Sequence, residues 1–112
     1  MISISCNHND KQIEQFIDDC FNHYFDGRLK RNIDIDIIFK SELDCSAAGW
    51  CTGDKQEILI ELDNTYTGRD LYLNIAHEII HAKQFLRGET SDQELMEQEA
   101  LDGENELVEL YL

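Results

Sequence analysis

Residues 69–87 read RDLYLNIAHEIIHAKQFLR, and His77-Glu78-Ile79-Ile80-His81 within them decides how the chain is read. Apolar positions recur here at helical spacing. Ile75, Ile79, Ala82 and Leu86 share one face, expected to meet a core, and Leu73, His77, His81 and Gln84 share another. Thr67 to Asp70 has the T-x-x-D form of a helix start, and Gly88 offers a stop, so a helix is predicted from about Arg69 to Arg87. Histidines four residues apart lie one above the other on a helix, so both imidazoles can reach one metal ion. The intervening Glu78 can hold a water at that metal and take its proton.

A catalytic zinc takes three protein ligands and leaves one position open, so two histidines need a partner. The candidates are an acid downstream or a cysteine upstream. Ser91-Asp92-Gln93-Glu94 is an S-x-x-E capping box and predicts a last helix. If this helix folds back on the first around residues 88–90, position decides among its acids. His81 lies seven residues before Gly88 and Glu97 lies six after Ser91. At about 1.5 Å per residue, each stands roughly 9–10 Å from the turn. Glu94 falls short and Glu99 overshoots. Met96, Ala100, Leu107 and Tyr111 mark the inward face, with Glu97 and Glu104 on or beside it. A carboxylate there is costly unless paired, and a metal would pair it. Glu97 is therefore the expected third ligand, with Glu99 the alternative and Glu104 placed to orient a histidine. Gly103 is expected to break the helix in two.

Upstream, Ile33, Ile35 and Ile37 alternate with Asp34 and Asp36, the period of a half-buried strand. Ala47 to Thr52 and Glu57 to Leu62 are further strand candidates, joined by the turn Gly53-Asp54-Lys55-Gln56. Ile2 and Ile4 point to a short strand at the start. Ile13, Phe16, Ile17, Cys20, Phe21 and Tyr24 predict a core-supporting helix, with Asn9 and Gln12 as a capping box and Gly27 as a stop. His8 and His23 fall off its apolar stripe and are expected to be solvated.

The 112 residues form one domain, 1–112, with little room for a second lobe. The expected fold class is α+β: an N-terminal helix, a small mixed or antiparallel sheet of three to four strands, the histidine helix and a C-terminal ligand helix. A formal net charge of −15 argues against nucleic acid and anionic membrane as partners. The start lacks the basic and apolar character of a signal peptide, and no apolar run spans a membrane, so a cytoplasmic protein is expected. Cys6, Cys20, Cys45 and Cys51 form no C-x-x-C pair and are expected to be reduced.

With H-E-x-x-H and a downstream glutamate, the chain resembles the gluzincin metallopeptidases, in their minimal form. Several members, among them the ImmA/IrrE group, carry that glutamate as E-x-x-A, read here as Glu97-Gln98-Glu99-Ala100. Those families often continue with Asn or Asp, where this chain has Leu101 and then Asp102. The resemblance covers roughly residues 33–111. It implies a zincin-like domain hydrolysing a peptide or protein substrate, with Zn²⁺ on His77, His81 and Glu97 and Glu78 as general base. Mn²⁺ or Co²⁺ also suits such ligands. The resemblance further implies that Ala47 to Trp50 binds extended substrate by strand addition. The large lobe that supplies an oxyanion-stabilising residue in bigger relatives is lacking; Tyr72, Tyr111 and His23 are the candidates to replace it. A latent form, with the cleft covered by the acidic segment from Glu104 to Leu112, is a further expectation. Two rivals stand beside this reading. Peptide deformylase uses H-E-x-x-H with an upstream cysteine, but Glu42-Leu43-Asp44-Cys45-Ser46 matches its E-G-C motif poorly. The other is a catalytically silent zincin-like module that binds or regulates a basic partner.

Overall fold

The computed structural model describes residues 2–25, 32–41, 48–89 and 92–112. Seven elements follow in order: β1 (Ile2–Cys6), α1 (Lys11–Phe25), β2 (Ile33–Lys40), β3 (Gly49–Gly53), β4 (Glu57–Asp63), α2 (Gly68–Arg87) and α3 (Gln93–Tyr111). They form a small α+β domain of three helices and one mixed sheet. The sheet order is β1-β2-β4-β3. β1, β2 and β4 run parallel, and β3 lies antiparallel to β4 at one edge. A parallel pair needs a crossover, which α1 supplies between β1 and β2.

The alternation in β2 orients the sheet. Ile33, Ile35, Ile37 and Phe39 are buried, and Asp34 and Asp36 are exposed. In β4, Ile58, Ile60 and Leu62 join the same core. α1 contributes Ile13, Phe16, Ile17, Cys20 and Phe21, and α2 contributes Ile75, Ile79, Ala82 and Leu86. All of these are nearly inaccessible to water, and a buried Leu or Ile side chain stabilises by about 1.5–3 kcal/mol. The opposite sheet face is polar. Buried Glu61 on β4 is paired there with Lys40 of the neighbouring strand.

Several local expectations are corrected. Thr67 is the N-cap of α2 by backbone, but its side chain makes no capping hydrogen bond. Asp10, not Asn9, caps α1, accepting from the Gln12 and Ile13 amides at 2.9 and 3.3 Å. Asp92 caps α3, accepting from the amides of Glu94 and Leu95; Ser91 lies outside the described residues. In each case a carboxylate one residue closer to the helix reaches the orphan amides of the first turn. Gly88 ends α2 in the left-handed conformation, φ 71°, which costs glycine least.

Gly103 does not break α3, which runs on to Tyr111. It marks the crossing with α2, because a Cβ there would stand 2.8 Å from Ile80 Cδ1. His8 is partly buried, less solvated than expected. It packs edge-on against Phe39, with ring centroids 4.9 Å apart, and its Nδ1 is buried. His23 is exposed and shares a 2.9 Å hydrogen bond with the Tyr111 hydroxyl. Cys6, Cys20 and Cys51 are free thiols. Gly27, Cys45 with its flanking motif, Ala47 and Thr90 lie outside the described residues. No helix among the described residues is long and apolar enough to cross a membrane.

Candidate metal centre

α2 and α3 form an antiparallel hairpin around Gly88, and β3 packs against α2 near Glu78. Between them is a cleft of about 640 Å³, lined by Gly49, Trp50 and Cys51 from β3, His77, Glu78, His81 and Phe85 from α2, and Gln93, Met96 and Glu97 from α3. Gly49 makes the close approach possible. A Cβ there would stand 2.9 Å from Leu62 Cδ2 and 3.2 Å from Glu78 Cγ.

The two imidazoles meet at their Nε2 atoms, 3.2 Å apart, with ring planes at 80°. Glu97 faces both: its carboxylate oxygens lie 2.8 Å from His81 Nε2 and 3.3 Å from His77 Nε2. One donor atom from each of the three residues lies within 4.8 Å of the others. Two nitrogens at ordinary zinc distances and a tetrahedral angle stand about 3.3 Å apart. The donor set fits a divalent cation for a second reason. The charges of Glu97 and Glu104 both act on Glu78, and the described cleft lining holds no lysine or arginine. Such crowding is unfavourable unless a cation offsets it.

The outer ring nitrogens are also engaged. His77 Nδ1 lies 3.3 Å from Glu104 Oε2, and His81 Nδ1 lies 2.8 Å from Gln84 Oε1. An acceptor at Nδ1 draws the proton there and leaves Nε2 bare, the usual arrangement of metal-binding histidines.

Glu99, the alternative ligand, is turned elsewhere. Its carboxylate accepts from Gln84 Nε2 at 2.8 Å and pairs with Lys83 Nζ at 2.9 Å. Burial raises its pKa, but the hydrogen bonds from Gln84 and Lys83 and the nearby charges of Lys83 and Arg87 outweigh this and hold it below the usual range. Glu97 and Glu99 are two residues apart, about 200° around a helix, so they serve opposite sides of the hairpin.

Glu78 is buried beneath β3. Desolvation, reinforced by the charges of Glu97 and Glu104, pushes its carboxyl up from 4.5 to about 8. Cys51 shares the cleft, and burial together with Glu78 pushes its thiol well above the usual range. Its sulfur is not part of the ligand group found among the described residues. The oxyanion candidates lie apart. Tyr72 is buried in the core, edge-on to Phe16 with centroids 4.9 Å apart. Tyr111 lies fourteen residues beyond Glu97 on α3, roughly 20 Å along the helix, and takes His23 with it. No residue of 104–112 is among the described cleft lining.

No family model matches the chain, and no curated protein matches it.

Glu78 supplies a stability prediction for the metal-free protein. An acid whose folded pKa lies above its unfolded value binds its proton more tightly when folded. Its stabilising contribution is present below about pH 4.5 and is lost as pH rises towards 8. Relative to Glu78→Gln, the wild-type chain is expected to lose on the order of a few kcal/mol between pH 5 and 9. Urea midpoints of both proteins in chelator measure this. A constant difference across that range would mean that Glu78 is ionised in the folded state throughout.

Proposed function

We propose that this chain is a minimal zinc metallopeptidase of the gluzincin kind, with a zincin-like fold. The observation that carries the reading is the convergence of His77 Nε2, His81 Nε2 and the Glu97 carboxylate in a cleft that also holds Glu78. The element order supports it: an edge strand bearing exposed Trp50, a hairpin to β4, the histidine helix and a helix returning with an acid.

His77, His81 and Glu97 would hold the metal. Bound zinc supplies a water of lowered pKa and polarisation of the scissile carbonyl. Glu78 stands beside the ligands and accepts the water's proton, then hands it to the leaving amine. Desolvation, with the charges of Glu97 and Glu104 added to it, raises the Glu78 pKa; a divalent charge in the site would oppose this shift and favour the carboxylate a base requires. Among the described residues β3 pairs with β4 along one side only, so its other side would offer backbone N–H and C=O groups to an extended peptide laid across the cleft.

Native mass spectrometry of protein purified without chelator or added metal tests the centre. One zinc per chain is expected in the wild type, in Glu99→Gln and in Glu78→Gln, and none in Glu97→Ala. Absence of metal after zinc is returned to the folded wild type would remove the basis of the reading.

A silent binding or regulatory module of the same shape is the second reading. It is favoured by the described cleft lining, which holds no tyrosine, arginine or third histidine to stabilise an oxyanion. Zinc-loaded protein that leaves unfolded polypeptides uncut would select it.

A further inference from the structure

Gln84 is almost wholly buried, at 1% exposure, yet it is a polar residue on the helix that carries both histidines. Its amide nitrogen donates to two acceptors, the Met96 carbonyl at 2.9 Å and Glu99 Oε1 at 2.8 Å. Both amide hydrogens are thereby used. A carbonyl and a carboxylate have no proton to give, so the amide cannot be reversed without facing oxygen to oxygen. The amide oxygen must point the other way, at His81 Nδ1, 2.8 Å distant. The far side of Glu99 is held by Lys83 Nζ at 2.9 Å, and Lys83 is itself buried against the Tyr24 ring, 5.2 Å from its centroid. A chain of contacts therefore runs from Lys83 through Glu99 and Gln84 to His81.

His81 has two possible neutral forms, and Glu97 favours the one that a metal cannot use. Its Nε2 lies 2.8 Å from Glu97, which would accept a proton from that nitrogen. That form would occupy the lone pair a metal needs. Gln84 Oε1 opposes it, because an oxygen at Nδ1 is satisfied only by a proton on Nδ1.

We infer that Glu99, anchored by Lys83, is a positioning residue that locks the Gln84 amide and so keeps His81 in its Nδ1–H form, with Nε2 free to bind metal. The inference rests on the metal-centre reading, although its first test requires no metal. Glu99 acts on the site from the opposite side of α3 without touching it. Removing it frees half of the Gln84 amide nitrogen's bonding. Turning the amide nitrogen to His81, which would then accept at Nδ1 and carry its proton on Nε2, now opposes one oxygen, the Met96 carbonyl, instead of two. Glu99→Gln keeps a carbonyl oxygen for Gln84 and is the conservative rescue.

Nitrogen chemical shifts of the histidine rings, recorded on metal-free protein well above the ordinary histidine pKa, report the tautomer directly. His81 is expected to be mainly Nδ1–H in the wild type and in Glu99→Gln. In Glu99→Ala it is expected to shift towards Nε2–H, while His77, held by Glu104, stays unchanged as an internal control. Zinc affinity of Glu99→Ala, from chelator competition, is expected to fall about 10-fold or more, with Glu99→Gln much closer to wild type. An unchanged His81 tautomer in folded Glu99→Ala would overturn the inference, as would an equal shift in both Glu99 variants. A tautomer shift in a protein whose wild type takes up no zinc would uphold the clamp and defeat the metallopeptidase reading instead.

Discussion

Glu78→Gln is expected to bind zinc as the wild type does, keep its fold, and lose about 10²–10⁴-fold in turnover of a peptide substrate. The loss should lie in kcat, because Glu78 is not among the three converging ligands and the exchange preserves its shape. Gln cannot accept the water's proton or return it to the leaving amine. The metal-free variant should be at least as stable as the wild type above neutral pH, because it removes a buried carboxyl surrounded by like charges. Undiminished turnover would exclude Glu78 as the base. The metal-binding reading would be untouched, since its test is occupancy.

Truncation after Gly103 is expected to unfold the domain or to lower its melting temperature by about 15 °C or more, without unmasking activity. The segment from Glu104 to Leu112 invites comparison with a detachable acidic cover. In the structure it is the second half of α3. Leu107 and Val108 are fully buried, and Tyr111 packs against the same core. Each core aliphatic removed costs about 2–5 kcal/mol, against a total stability of about 5–15 kcal/mol for such a domain. The cut also removes the Glu104 contact to His77. Thermal melting followed by circular dichroism checks the first part. A truncated protein that melts like the full chain and gains peptidase activity would restore the cover as its role.

Much of this molecule is legible because local patterns and tertiary demands agree. The period of two from Ile33 to Phe39 survives because one sheet face meets the helices and the other meets water. The α2 stripe of Ile75, Ile79, Ala82 and Leu86 is buried for the same reason. The level placement of Glu97 beside His81 follows from equal rise on two antiparallel helices, a distance readable from residue counts once the turn at Gly88 is recognised.

Readings that failed are those in which one residue was judged by its type alone. Gly103 looked like a breaker but is needed small where Ile80 crosses. His8 looked solvated but found Phe39 of a strand far along the chain. Capping residues slipped by one position, since several polar residues precede each helix and only backbone geometry selects among them. Cys45 and its surroundings fall outside the described residues.

By itself the sequence determined the elements, the face of α2 that carries His77 and His81, and the separation that lets two imidazoles share an ion, because these are properties of helical and strand periodicity. Residue counts ranked Glu97 ahead of Glu99, and only the tertiary structure showed what each carboxylate meets. Glu78, Glu97, Glu99 and Glu104 are chemically alike, and their differences come from neighbours brought in by the hairpin and by β3. Glu97 meets both histidines, Glu104 meets one from behind, Glu99 meets Lys83 and Gln84, and Glu78 is buried beneath the edge strand. A carboxylate's role is set by burial and by the donors and charges within a few ångströms, and those distances exist only after the chain has folded.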